Sequence, residues 1–279
     1  MGILLKSLLR LCLMASIGYG LGLIAIYNTA QMYSVPTQEE ITDLSNNSDH
    51  FLVSNQKRII EKSRQSAVRV LSMSLETGNI ASSSGTYIAL KDNYFVITTN
   101  HGIAGTCDTT KIIADGDMYS CVNFIENNDE VDYAVIQIEK IEDRRPIRIP
   151  RDIARTKRDW VSALSVLSKT YYTGFPNNIG PLTIDGKIMG HNDGDYIYIN
   201  SYAWSGSSGS GVFSQKGDYI GFVLAIDVGT GIDGGPEVLE NVVLVVPAYR
   251  INWASIYNAP SILPESEEPA NYKDTANED

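Results

Sequence analysis

The sequence predicts an all-β body of paired antiparallel β-barrels, preceded by an N-terminal transmembrane helix. Three observations predict it. Short runs rich in Val, Ile and Tyr recur from about residue 65 to 250. Turn signals separate them, among them Lys91-Asp92-Asn93 and Asp115-Gly116-Asp117. Runs of this length at this spacing are strands of barrels rather than helices. The third observation is an apolar stretch, "LCLMASIGYGLGLIAIY" (11–27), that follows Lys6 and Arg10, with no further charge until Glu39.

That stretch is long enough to cross the hydrocarbon core as a helix. Basic residues before it place the N-terminus in the cytoplasm and the body across the membrane, periplasmic or extracellular. A signal peptide removed on secretion is the alternative. Asn28-Thr29-Ala30 is a poor cleavage site, so the reading adopted is an uncleaved anchor. The expected layout is anchor or signal segment 1–30, polar stalk 31–60, body 61–257 with barrels near 65–145 and 160–250, and a disordered acidic tail 258–279.

Within the body, "QKRIIEKSRQSAVRVLSMS" (56–74) begins as helix and ends as strand. "GTYIALKDNYFVITTN" (85–100) and "KIIADGDMYSCVNFI" (111–125) read as hairpins, and "VDYAVIQIE" (131–139) as a further strand. Residues 140–160 are charged and contain proline, a crossover between the halves. "SALSVLS", "TYYTGFP", "LTIDGKIMG", "DGDYIYIN", "SGVFS", "YIGFVLAI" and "VVLVVPAY" are the strands of the second half.

Composition excludes some functions. The net charge of −11 argues against a nucleic-acid partner, which needs clustered Lys and Arg. The one basic cluster, 144–158, is interleaved with acidic and apolar residues and reads as a solvated connector. The three histidines are scattered, and no H-E-x-x-H or C-x-x-C spacing occurs, so no metal and no cofactor is expected. Cys12 lies in the apolar stretch. Cys107 and Cys121 can form a disulfide if the body is exported; the sequence equally allows two separate thiols.

"AWSGSSGSGVFS" (203–214) crowds serines at 205, 207, 208 and 210 around three glycines. A flexible linker would be flanked by more low-complexity chain. This stretch feeds a buried strand instead, and a tight turn before a strand suits a nucleophile. A serine nucleophile needs a base, a group to orient that base, and donors for an oxyanion. His50 lies in the stalk and His191 in a turn of the second half. His101 is different, because the strand "YFVITTN" delivers it into a loop. Asp132 opens the strand "DYAVIQIE", where it can accept from His Nδ1–H.

Strand-His101, Asp132-strand and Gly206-Ser207-Ser208-Gly209 before a strand, in that order, resemble the trypsin-like serine proteases. The likeness is greatest to bacterial glutamyl endopeptidases and HtrA-type proteases, through "TTNHGI", "DYAVIQI" and "GSSGSGVF". The resemblance implies two six-stranded antiparallel β-barrels of chymotrypsin type. It implies Ser208 as nucleophile, His101 as base, Asp132 as orienting carboxylate, and an oxyanion hole from the Gly206 and Ser208 N–H groups. It also implies pocket residues Tyr202, Ala203, Val223, Leu224 and Ala225. No acidic residue lies at that pocket's base, so cleavage after Arg or Lys is not expected. Val223 and Ala203 replace the polar residues that glutamyl endopeptidases use. A small or apolar residue before the scissile bond is expected. Three departures stand out. Ser207 replaces the Asp of zymogen-activated relatives, Gly211 a common Pro, and Leu224 a Ser or Thr that supports the catalytic Asp.

The expected function is therefore a membrane-anchored serine endopeptidase acting on protein or peptide substrates through an acyl-enzyme. The alternatives are a catalytically inactive binding module on the same fold, and a structural β protein with a chance Gly/Ser turn.

Overall fold

The computed structural model describes residues 54–192, 195–230 and 235–262. Helix α1 (Ser54–Ser66) leads directly into the first barrel. That barrel uses β1 (Ala67–Met73), β2 (Ile80–Leu90), β3 (Asn93–Thr98), β4 (Thr110–Ala114), β5 (Asp117–Asn128) and β6 (Tyr133–Ile138). It closes in the order β1-β4-β5-β6-β3-β2, with β1 pairing back onto β2. A short strand, β7 (Ile147–Arg148), adds parallel to β2. The second barrel uses β8 (Lys169–Gly174), β9 (Leu182–His191), β10 (Ile197–Asn200), β11 (Gly211–Ser214), β12 (Tyr219–Thr230) and β13 (Pro236–Pro247). It closes in the order β10-β13-β12-β11-β8-β9. Both barrels are six-stranded and antiparallel, as expected.

The period-two alternation of a strand explains how two barrels become one body. In β6, Ile136 and Ile138 fill the first barrel, while Tyr133 and Val135 point out of it. In β3, Val96 points in and Phe95 and Ile97 point out. In β12 a register shift opposite Val212 and Phe213 interrupts the alternation at Ile220, so Ile220 and Val223 both fill the second barrel while Phe222 and Leu224 point out. The outward sets meet each other, so a third core lies between the barrels, closed by Ile59 of α1 and Ile256 of helix α3 (Trp253–Tyr257). Each such side chain, buried fully, contributes roughly 1.5–3 kcal/mol.

The polar ends of the body differ from the expected boundaries. Ile59, placed in the stalk by the sequence, is buried against the core, so the body begins by Ser54. Gln137 Nε2 donates to Pro260 O at 2.7 Å, so the described chain past residue 257 is bound to β6. Residues 31–53 of the expected stalk and 263–279 of the expected tail lie outside the described residues. "SALSVLS" does not form a strand: Lys157–Ala163 is helix α2, and a turn follows. Its signal was present in the sequence. Thr156 accepts from the Asp159 N–H, and the Asp159 carboxylate accepts from the Thr156 N–H, a reciprocal capping box. The basic connector is bound within the chain, with Arg145 on Glu61 and Arg151 on Asp152.

The expectation of a transmembrane helix is corrected. Among the described residues, no helix is long and apolar enough to cross a membrane. The stretch 11–27 lies outside the described residues.

Candidate active site

His101 sits in a single turn of 3₁₀ helix, Asn100–Gly102, just past the end of β3. Asp132 immediately precedes β6, in the left-handed region at φ +60°. Since β3 and β6 pair antiparallel, with Thr98 opposite Ala134, the end of one strand meets the start of the other. The contact is bidentate. His101 N–H donates to Asp132 Oδ1 at 2.8 Å, and His101 Nδ1 lies 2.6 Å from Oδ2. Asn100 N–H donates to the Asp132 carbonyl at 3.3 Å. With Asp132 ionised, Nδ1 carries the proton and Nε2 is left as an acceptor. Burial raises the Asp132 carboxyl. The hydrogen bonds from the His101 ring and backbone outweigh burial and hold it below the usual aspartate range.

Leu224, expected where the family resemblance puts a hydroxyl beside this carboxylate, packs in the inter-barrel core. The second carboxylate oxygen is taken by the His101 backbone N–H.

Hydrogen bonding and burial together sort the four serines of the glycine-rich loop; the hydroxyls of Ser205 and Ser208 are both without a hydrogen bond among the described residues, and Ser205 is the exposed one. Ser210 is fully buried, and its hydroxyl donates to Ser207 O at 2.6 Å. Ser207 is buried, and its hydroxyl accepts from Trp204 N–H at 3.2 Å. The Ser205 carbonyl accepts from Asn177 N–H at 2.7 Å, and Ser205 is exposed. Ser208 is half-buried, and its hydroxyl makes no hydrogen bond among the described residues. It lines a cavity of ≈ 220 Å³ with Ala203, Trp204, Ser205, Ser207, Val223 and Ala225. Gly206 and Gly209 make the turn possible, at φ +91° and +89°, where L side chains are strained. A Cβ on Gly209 would also collide with the Ser84 carbonyl.

The amides of this loop divide in the same way. Ser207 N–H donates to Trp204 O, and Gly209 N–H to Val223 O. The Gly206 and Ser208 N–H groups have no partner among the described residues. Because the peptide is planar and trans, fixing the Ser205 carbonyl on Asn177 turns the Gly206 N–H the opposite way.

Of the expected pocket residues, the structure brings Ala203, Val223 and Ala225 to the Ser208 cavity. Tyr202 and Leu224 do not line it. Tyr202 is exposed and stacks on Trp204 with ring centroids 6.1 Å apart, while its carbonyl accepts from Tyr172 O–H. Trp204, Ser205 and Ser207 were not expected in the cavity. Their only sequence signal is position, because a turn at Gly206 folds its neighbours around Ser208. His50 lies outside the described residues. His191 ends β9, with Nε2 3.2 Å from Leu164 O. Cys107 and Cys121 form a disulfide, Cα atoms 5.2 Å apart, between the loop after His101 and β5. A larger cavity, ≈ 470 Å³, lies between α1 and the connector. No Ser, Cys or His lines it, and three of its cations already hold carboxylates.

Ser84 was also unforeseen. This buried β2 residue donates its N–H to Ser208 O at 2.9 Å and its hydroxyl to Gly206 O at 2.7 Å. The same hydroxyl accepts from Phe175 N–H at 2.8 Å. Ser84→Ala leaves a donor and an acceptor unpaired inside the protein. It should lower stability by roughly 2 kcal/mol in urea melts and lower the catalytic rate with it.

Acid should unfold the protein through its depressed carboxyls. Asp132, Glu126 and Asp152 are each raised by burial but lowered further by hydrogen bonds, with a net downward shift. A folded-state value below the unfolded one means the unfolded chain binds protons first. Stability from these groups is full above the ordinary carboxylate range near pH ~4, and is lost as pH falls through the depressed values. Thermal melts should be level above that range and fall steeply below it.

A family model, the trypsin-like peptidase domain, matches residues 83–222. That span is half of the chain and runs from β2 through the serine loop into β12. The chain belongs to the trypsin-like peptidase domain family, and by class it is a trypsin-like serine peptidase. Among solved structures, it is similar to a serine endoprotease from Yersinia pestis, at TM-score 0.56 and 15% identity, over 74% of this chain and 68% of that one. It is similar to the Rv3671c protease from M. tuberculosis in its active form, at TM-score 0.55 and 17% identity, over 74% and 86%. It is also similar to the HtrA-type protease AlgW with tripeptide, at TM-score 0.58 and 16% identity, over 74% and 64%. These likenesses are of fold. No curated protein matches by sequence.

Proposed function

We propose that this protein hydrolyses peptide bonds by serine-type catalysis, with Ser208 as nucleophile. One observation carries the reading. Ser208 combines a half-buried hydroxyl free of hydrogen bonds, a place on the cavity wall, and unpaired N–H groups of its own and of Gly206; Ser205 shares the free hydroxyl and the wall but is exposed. In the proposed course, Ser208 Oγ attacks the scissile carbonyl carbon and its proton passes to His101 Nε2. Asp132 holds the imidazolium that results. The oxyanion takes the N–H groups of Gly206 and Ser208. Collapse expels the amine, which leaves with the His101 proton. Water, deprotonated by His101, then hydrolyses the Ser208 ester.

The cavity walls of Ala203, Val223, Ala225 and Trp204 suit a small or apolar side chain before the scissile bond. A charged side chain there would lose its hydration with no counter-charge in the wall. Profiling the full chain against a peptide library tests this. Cleavage after Ala, Val or similar residues is expected. Cleavage confined to charged residues would overturn the pocket assignment.

The reading of a membrane-anchored enzyme is corrected. No described helix spans a membrane, and the hydrogen bonds stop at His101. No hydrogen bond joins Ser208 Oγ to His101 among the described residues; Nε2 lies 3.5 Å from Thr99 Oγ1. This favours a second reading, a catalytically inactive protease-fold module that binds peptides in the same cleft. Relays of this kind often tighten only when substrate is bound, so activity measurements separate the two.

A further inference from the structure

We propose that Arg69, on the first barrel, is a positioning residue for the oxyanion donor Gly206 on the second. The inference rests on the peptidase reading above and names a residue that acts through others. Arg69 Nη2 donates to Asn178 Oδ1 at 2.6 Å, and Arg69 Nε donates to Ser82 Oγ at 3.1 Å. Ser82 Oγ donates to the same Asn178 Oδ1 at 2.8 Å. One side-chain oxygen of the β8–β9 loop is thus held by two donors from β1 and β2. Asn178 and its neighbour Asn177 both sit in the left-handed region, at φ +61° and +48°. That conformation is uncommon for residues other than glycine and needs support from its surroundings.

The support reaches the oxyanion site through one further bond. Asn177 N–H holds the Ser205 carbonyl at 2.7 Å, and the planar Ser205–Gly206 peptide then fixes the direction of the Gly206 N–H. The loop has a second tether to the first barrel, Phe175 N–H on Ser84 Oγ. Phe175 and Asn178 therefore bracket Asn177, and the first barrel holds both. Release of Asn178 frees Asn177 to turn and the Ser205–Gly206 peptide to rotate, which removes a donor from the oxyanion. Arg69 makes no ion pair among the described residues, so its charge serves this clamp.

The test uses the full chain with Arg69→Met, Arg69→Lys, Asn178→Gly and Asn178→Asp. Glycine at 178 keeps the backbone conformation and loses the acceptor. Aspartate keeps the acceptor and can stand in the same region. Arg69→Met and Asn178→Gly should each lower kcat by about 10- to 100-fold, a part of what a lost oxyanion donor costs, with KM unchanged. The double variant should be no worse than either, because both break one linkage. Asn178→Asp should retain wild-type kcat, and Arg69→Lys should recover a part. Hydrogen–deuterium exchange across 175–180 and 203–208 should rise in the two loss variants. Wild-type kcat in folded Arg69→Met, or a loss seen in KM alone, would overturn the clamp. A folded wild type with no activity would overturn the peptidase reading. Exchange would then still decide the clamp, since unchanged protection in Arg69→Met removes it.

Discussion

Ser208→Ala should abolish peptide hydrolysis, lowering kcat by about 10⁴-fold or more, and leave stability within about 0.5 kcal/mol of wild type. The two halves of that result have separate causes. Ser208 Oγ makes no hydrogen bond among the described residues, so its removal orphans nothing. The same atom lines the cavity beside the unpaired N–H groups of Gly206 and Ser208, so its removal takes away the proposed attacking group. Ser210→Ala should behave in the opposite way. It loses the buried bond to Ser207 O and about 1 kcal/mol of stability, yet keeps activity. The Ser208→Ala/His101→Ala double variant should be no slower than either single one, because residues that act as a unit do not add. Steady-state kinetics and urea melts on wild type, Ser208→Ala, His101→Ala, Ser210→Ala and the double variant check the set. Equal activity in Ser208→Ala and wild type would remove the nucleophile assignment.

Asp132→Asn should lower kcat by about 10⁴-fold with the fold intact. Asp132 accepts twice from His101, once from the backbone N–H and once at Nδ1. In the variant, the amide oxygen keeps the backbone bond and the amide NH₂ faces Nδ1. Nδ1 must then be the acceptor, which moves the ring proton to Nε2. An Nε2 that already carries a proton cannot take one from Ser208. The variant also lacks the charge that stabilises the imidazolium. Asp132→Ala should cost activity to a similar degree, and stability as well, since the His101 N–H loses its acceptor. Retention of activity in Asp132→Asn would mean that the bond to His101 serves structure alone.

Much of the fold was legible because its signals are local. The turns at Lys91-Asp92-Asn93 and Asp115-Gly116 announce their hairpins, and short apolar runs mark β3, β6 and β12. Closure into two six-stranded barrels entered through the family resemblance. The second-half segment "SALSVLS" misled because it was read apart from the residues before it: the helix Lys157–Ala163 ends inside it, and the capping box at Thr156 and Asp159 that starts that helix lies before it. The apolar stretch 11–27 has the composition of a span, but no described helix supports an anchor. The order of His101, Asp132 and Ser208 was readable in the sequence. The second bond on Asp132, from the His101 backbone, depends on the left-handed turn at 132 and has no signal of its own. Leu224 and Tyr202 show the limit of assigning pocket walls by position: neighbours on a strand face opposite sides, and Leu224 faces the inter-barrel core. The links from Ser84 to Gly206 and from Arg69 to Asn178 join residues more than a hundred positions apart. No local pattern announces such pairs.

The central claim is that Ser208 is an activated nucleophile. Treatment of the folded full chain with a fluorophosphonate, followed by mapping of the modified peptide, tests it most directly. A single adduct on Ser208 is expected, kept in Ser210→Ala, absent in Ser208→Ala and formed far more slowly in Asp132→Asn. A folded wild type that takes up no adduct, or one whose adduct lies on Ser210, would contradict it.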